Sequence, residues 1–232
     1  MGVSARNIVQ WVAVQLYDEG NNNWSESELA QWLREGVGAL AALRPDLFIR
    51  THTIPLEPGA KQSIPASSTR VARVLGVRKG GEDAPMRALT RFDMRSMSAS
   101  DPEWQETRPS RPRQYTIAAD QDVFWLYPSV PEDEVYYADI ESIEVPDVPM
   151  PKDWPDDDPV NIQMDNRFER ALVDYVLFRS LSKDADYAAN GQRAAAHQEA
   201  FHNAAFDSFY PPPREAAEQA QRQTQQHENQ RR

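Results

Sequence analysis

The chain of 232 residues contains no cysteine. That excludes a disulfide framework, a thiolate nucleophile and any zinc site built on sulfur. Nor does any run approach the roughly 18 apolar residues of a membrane-spanning helix, so no membrane partner is expected. Met1-Gly2-Val3-Ser4-Ala5-Arg6 shows neither the apolar block of a signal peptide nor the Ser or Thr that a myristoylation signature places sixth. Histidine is scarce, with four residues: His52, His197, His202 and His227. His197 and His202 stand five apart, which turns their rings about 140° from one another on a helix, so they do not reproduce a zinc-helix pair. Glycine is sparse too, and Gly80-Gly81 is followed by no Lys-Ser or Lys-Thr, so a phosphate loop is not expected. The Gly-x-Ser-x-Gly elbow of serine hydrolases does not occur. Asp156-Asp157-Asp158 lacks the alternating ligands, central Gly and terminal Glu of a calcium loop and reads as an exposed linker. These absences leave no catalytic residue, metal site or cofactor to assign, and the expectation is a protein that is not an enzyme.

What is present is a substantial apolar fraction, 40%, with six Trp, enough for one domain or two small ones with real cores. A net charge of −11 is distributed unevenly. Residues 61 to 113 hold eleven basic and six acidic side chains, a balance of +5, whereas residues 120 to 159 hold thirteen acidic and one basic, a balance of −12. Two readings stand open: solvated faces, or charge complementarity between neighbouring copies or with a partner.

Along the chain, Ile8, Val9, Trp11, Val12, Leu16 and Tyr17 predict a helix over residues 3 to 17, ended by Gly20-Asn21-Asn22-Asn23. A second helix starts at Ser25, which with Glu28 has the spacing of a capping box, Trp24 standing where a staple residue sits. Leu29, Trp32, Leu33, Val37, Leu40 and Leu43 form its apolar stripe, Gly and Ala between them permit close contact, and Pro45 stops it. The middle third changes character. Residues 48 to 56 read as extended, Glu57-Pro58-Gly59-Ala60 as a turn, and residues 61 to 65 as the return from it. Val71 to Val77 suits a buried strand or a short helix, and residues 91 to 98 a short helix. Asp101-Pro102-Glu103-Trp104 reads as a turn carrying an anchoring indole. Alternation at Tyr115 and Ile117, then at Val123, Trp125 and Tyr127, then over residues 135 to 145, predicts a three-stranded antiparallel meander. Asp120-Gln121-Asp122 forms its first turn and residues 128 to 133 a loop. Residues 146 to 159, with five Pro, read as an acidic linker.

Residues 168 to 209 carry a strong helical signal, a pair of consecutive helices with no catalytic residue between them. The first is apolar around most of its circumference from Ala171 to Phe178, far wider than the roughly 100° stripe of a surface helix. In so small a chain, a neighbouring subunit is a source of the missing cover. Phe168, Leu172, Tyr175, Val176 and Phe178 are therefore candidate interface residues, with Trp104. Pro211-Pro212-Pro213 ends the pair. The segment from Arg214 to Arg232 holds no apolar residue larger than Ala and reads as disordered alone or ordered on a partner. Pro211, Arg214, Arg222, Arg231 and Arg232 are its candidate contacts.

These segments resemble a family of tailed-bacteriophage head-to-tail adaptor proteins, also called connector or head-completion proteins. The resemblance is carried by Trp24-Ser25 through Leu33, by Ala42-Leu43-Arg44-Pro45-Asp46 and by residues 56 to 65, Leu-Glu-Pro-Gly-Ala-Lys-Gln-Ser-Ile-Pro. Asp101-Pro102-Glu103-Trp104 continues it, and Leu172-Val173-Asp174-Tyr175-Val176-Leu177 with Ser182-Lys183-Asp184-Ala185 completes it. The resemblance implies an α+β fold: a helical bundle from N- and C-terminal helices, an inserted antiparallel β-rich region and a flexible C-terminal tail. On that reading residues 1–47 supply the N-terminal helices, 48–160 the insertion with its linker, 161–210 the C-terminal helix pair, and 211–232 the tail. It further implies a homo-oligomeric, dodecameric ring in the virion at the head-tail junction, assembled in the host cytoplasm. Its partners are the portal protein and the tail tube or nozzle proteins, and genomic DNA passes through its channel without sequence-specific binding. Acidic residues between 120 and 158, or on the helix pair, are the expected channel lining. Two alternatives are a tail-tube or nozzle subunit and, from Arg70, Arg73, Arg78, Lys79, Arg87, Arg91 and Arg95 with Arg108, Arg111 and Arg113, a nucleic-acid-binding module.

Overall fold

The computed structural model describes residues 2–106, 109–117, 122–154, 160–184 and 188–207. In chain order these form β1 (Val3–Ser4), α1 (Ala5–Gln15), α2 (Glu26–Leu43), β2 (Ile49–Pro55), β3 (Gly59–Ser63), β4 (Arg70–Lys79), β5 (Arg87–Ala88) and β6 (Thr90–Arg91). Then come α3 (Met94–Ser100), β7 (Gln114–Ile117), β8 (Val123–Val130), β9 (Tyr136–Ile143), β10 (Asn161–Ile162), α4 (Glu169–Lys183) and α5 (Ala188–Asp207). The class is α+β. The chain divides into two compact units, one of residues 1–44 with 147–232 and one of residues 45–146.

In the first unit, α4 is the central helix and packs against α1, α2 and α5. Ala171, Leu172, Val173, Val176, Leu177 and Leu181 are buried on its several sides. The wide apolar circumference is thus covered from within the chain. Close approach is made possible at Gly36 of α2, where a Cβ would stand 2.8 Å from a ring carbon of Tyr175. The helix starts follow local chemistry. Ser4 Oγ accepts the N–H of Asn7 at 3.3 Å, and Ser25 Oγ accepts that of Glu28 at 3.2 Å, a donor it shares with the Ser25 carbonyl at 2.9 Å. Only half of the capping box forms, since the Glu28 carboxylate takes a bond from Lys183 Nζ of α4 at 2.6 Å instead. Between α1 and α2 the buried carboxylate of Asp18 accepts the N–H groups of Asn22, Asn23 and Trp24 at 2.8, 2.9 and 3.0 Å. The Trp24 N–H, ahead of those of Asn23 and Asn22, holds Asp18 below the usual carboxylate range against the opposing effect of burial. β1 and β10 close the unit as a short antiparallel pair.

The second unit is two four-stranded sheets, ordered β2-β9-β4-β5 and β3-β8-β7-β6. They share one core, built from Val71, Val74 and Val77 of β4, Ala138 and Ile140 of β9, and Tyr115, Phe124 and Leu126 of β7 and β8. All pairings among these strands are antiparallel except the two-residue pairing of β6 with β7. Residues 71 to 77 are strand, within β4, and the short helix predicted at 91 to 98 begins at Met94, capped by Asp93, whose carboxylate accepts the Ser96 N–H at 2.8 Å.

Two pairings differ from the sequence reading. The expected meander exists only as β7 and β8, while β9 leaves for the other sheet and lies between β2 and β4. Alternation identifies a strand but not its neighbour; in the pairing found, Glu141 of β9 stands opposite Arg73 of β4, and Ile140 and Ala138 of β9 join Val74 and Val77 of β4 in the core. Similarly, the turn at residues 57 to 60 does not fold β3 back onto β2. It carries the chain from one sheet to the other. The buried Gln62 side chain stabilises it by accepting the Glu57 N–H at 2.9 Å and donating to the carbonyls of Glu57 and Gly59 at 2.8 and 3.2 Å.

Candidate functional site

The two charge blocks of the sequence meet on β4 and β9. Arg73 donates to both carboxylate oxygens of Glu141 at 3.1 Å, Arg78 to Asp139 at distances down to 2.6 Å, and Lys79 to Glu134 at 2.6 Å. Asp139 sits in the middle strand of its sheet and is held from both sides, because Thr53 Oγ1 of β2 also donates to it at 2.8 Å. The Arg78 guanidinium, with Thr53 assisting against burial, depresses the Asp139 carboxyl below its ordinary value. Nearby, burial pushes the Tyr136 phenol up to about 12, its hydrogen bond to Glu134 adding to the effect. The alternatives left open by composition are therefore resolved for these residues: their charges are matched inside one chain. Glu134, Asp139 and Glu141 are ion-paired, which weakens the case for them as a negative channel lining. Asp122, Glu132, Asp133, Glu144, Asp147 and Asp153 of the same stretch are also among the described residues, whereas Asp120 and Asp156 to Asp158 lie outside them.

The same geometry divides the basic set. Arg73, Arg78 and Lys79 are in ion pairs, whereas Arg70, Arg91 and Arg95 line one continuous concave surface of the second unit. It consists of two adjoining hollows, of about 360 and 540 Å³, that share Arg91 and Ile117; Ile49, Val71 and Ile143 supply apolar walls to the first, and Arg95 lines the second.

Of the helix residues singled out in the sequence, Phe168, Leu172 and Val176 are fully buried within the first unit. Tyr175 and Phe178 are half-buried and meet edge to face at 5.9 Å, and Tyr175 also meets Phe201 of α5 at 5.1 Å. Trp104 is 1% exposed and is the hub of an aromatic cluster in the second unit, edge-on to Phe92 at 5.3 Å and Trp125 at 5.9 Å, with its Nε1–H donated to Ser98 Oγ at 3.1 Å. Pro211, Arg214, Arg222, Arg231 and Arg232 lie outside the described residues. His197 does have a partner that its motif did not suggest. Its Nδ1 is 2.9 Å from Asp174 Oδ1, and Arg170 lies 3.2 Å from the other oxygen of this buried carboxylate. The pair ties α5 to α4. A polar residue inside the apolar run of α4, one turn beyond a basic one, is the signal in the sequence that could have found it.

The sequence reading puts Ile8, Val9, Trp11, Val12, Leu16 and Tyr17 on one helix face, and the structure divides that set. Ile8, Val9 and Val12 are buried, but Trp11 and Tyr17, with Val14, are 56%, 93% and 47% exposed. Trp11 and Val14, three apart, share the outer side of the helix, and Tyr17 follows two residues beyond its end with φ of 55°.

Among the described residues, no group of three or more His, Asp or Glu side chains is placed to hold a metal ion. None of the described helices is long and apolar enough to cross a membrane. No curated protein matches the sequence. The family model described as SU10 adaptor protein matches residues 5–230. That span includes both compact units, every charge pair on β4 and β9 and the whole helix pair, and the chain therefore belongs to the SU10 adaptor protein family, making it a structural adaptor of a phage virion.

Proposed function

We propose that the chain is a subunit of a dodecameric ring that joins the portal to the tail and extends the DNA channel at the head-tail junction. The observation that carries this reading is the family match over residues 5–230, nearly the full length, which makes the adaptor role a property of the whole fold and not of one motif. Two compact units with separate cores suit a ring subunit, because each can offer surfaces of its own to neighbouring copies and to other virion proteins. In this proposal the helical unit acts as a bundle whose partner is the portal protein, reached by Pro211, Arg214 and the basic residues Arg222, Arg231 and Arg232. The tail tube or nozzle proteins are the chain's other partners. DNA passes through without sequence-specific contact. The role is mechanical and requires no catalytic group.

Co-sedimentation with purified portal rings tests the proposal. The chain is expected to pellet with the portal at a fixed ratio and to leave the supernatant until that ratio is reached. A chain that stays in the supernatant at every portal concentration would contradict it.

A further inference from the structure

We infer that copies of this chain join head to tail through two unlike surfaces: the exposed apolar side chains on and just after α1 of one copy and the arginine-rimmed groove of the β-rich unit on the next. The inference rests on the ring reading and names the contact that would close the ring.

The first surface is Trp11, Val14 and Tyr17, large apolar side chains in solvent. Exposed aromatic side chains of this kind mark association surfaces, where Trp and Tyr carry much of the binding energy. Tyr17 has φ of 55°, an uncommon conformation for a residue with a Cβ, and it projects the ring almost wholly into water. The stretch of chain that carries these residues has a single sign of charge. Between Arg6 and Arg34 there is no basic residue and there are four acidic ones: Asp18, Glu19, Glu26 and Glu28. Asp18 is bound by backbone N–H groups and Glu28 by Lys183, which leaves Glu19 and Glu26. Both line a hollow of about 250 Å³ that also includes Val14.

The second surface has the complementary chemistry. Ile49, Val71 and Ile143 give the groove apolar walls, and Arg70, Arg91 and Arg95 give it a basic rim. None of these three arginines is in an ion pair among the described residues, unlike Arg73 and Arg78 on the same strand as Arg70. Two aspartates, Asp46 and Asp93, also line the groove, but Asp93 is turned to the N-terminus of α3, where it accepts from Ser96. An apolar ridge with an acidic border thus matches an apolar groove with a basic border. Because the surfaces are different, their contact is heterologous, the type that generates a ring when the rotation closes. A second copy supplies both surfaces at once, and it is the occupant proposed for each.

The cysteine-free sequence makes a direct test possible. Gln10 and Ala72 are exposed, the first beside Val14 and the second on the groove. Gln10→Cys and Ala72→Cys chains, treated with a short bis-maleimide, should give a cross-linked dimer when mixed and little when either is treated alone. A dimer as abundant in one variant alone would overturn the inference. In parallel, Arg91→Glu with Arg95→Glu should raise the concentration for half-assembly by about tenfold or more, since like charges now face each other. Glu19→Lys with Glu26→Lys added to the same chain should restore it. Assembly of the arginine double variant at the wild-type concentration would overturn the inference while leaving the ring reading intact. A wild-type chain that stays monomeric with and without portal rings would end both.

Discussion

Asp139 is the residue on which the β-rich unit most depends electrostatically, because one carboxylate serves strands on both sides of β9. Replacing it with Ala leaves Arg78 and Thr53 without their acceptor and is expected to lower stability by about 2 kcal/mol, the usual cost of losing a charge-assisted bond. Denaturant melts read through tryptophan fluorescence check this. The sign with pH follows from its depressed carboxyl. Asp139 contributes stability above the unfolded value, near 3.8, and that contribution disappears as pH falls through the still lower folded value. Tyr136 acts at the other end: the unfolded phenol titrates near 10 and the folded one at about 12, so stability is lost as pH rises through that window. Melting temperatures measured from pH 2 to 12 should therefore fall at both ends, and Asp139→Asn should blunt the acid limb alone. Trp104, buried amid Phe92 and Trp125, is the packing counterpart. Trp104→Ala should cost about 3 to 5 kcal/mol, visible in the same melts.

At the level of elements, the close approaches are the informative positions. A Cβ on Gly76 of β4 would stand 2.4 Å from the Arg87 carbonyl oxygen of β5, a backbone atom with little room to yield. Gly76→Ala is expected to detach β5 from its sheet, seen as loss of amide protection at residues 87 and 88 in hydrogen exchange. At the start of α2, Ser25→Ala removes the side-chain acceptor for Glu28 and should cost about 1 kcal/mol. Elements like these were legible from the sequence: the cap at Ser25, the stop at Pro45, the helix pair after residue 168, the strands at Tyr115 and Val123. Pairing was not. β9 reads like the third strand of a meander, since period-two alternation says which residues share a face and nothing about the neighbouring strand. What places it between β2 and β4 includes Thr53 and Arg73 opposite Asp139 and Glu141, contacts far apart in sequence. The candidate site was legible in reverse order. The apolar girth of α4 suggested cover from a neighbouring subunit; α1, α2 and α5 of the same chain pack on it and leave Tyr175 and Phe178 half-buried, while Trp11 and Tyr17, read in sequence with the helix face, are exposed together with Val14.

For the molecule as a whole, the sequence divides into two compact units, and the family match includes both. A structural adaptor needs surfaces for more than one partner, and the charge arithmetic fits that need. Three ion pairs match part of the basic and acidic blocks inside the β-rich unit, and because each cancels one charge of either sign, the net charge of −11 remains as an excess of acidic side chains. Removal of residues 214 to 232 is expected to weaken portal binding without lowering the melting temperature, because those residues carry no apolar side chain larger than Ala. Surface plasmon resonance on immobilised portal, paired with calorimetry of the shortened chain, checks both halves. The central claim, a ring subunit seated on the portal, is tested most directly by electron microscopy of the purified chain alone and mixed with portal rings. A second closed ring stacked on the portal is expected in the mixture, and persistent single subunits in both samples would contradict the ring reading.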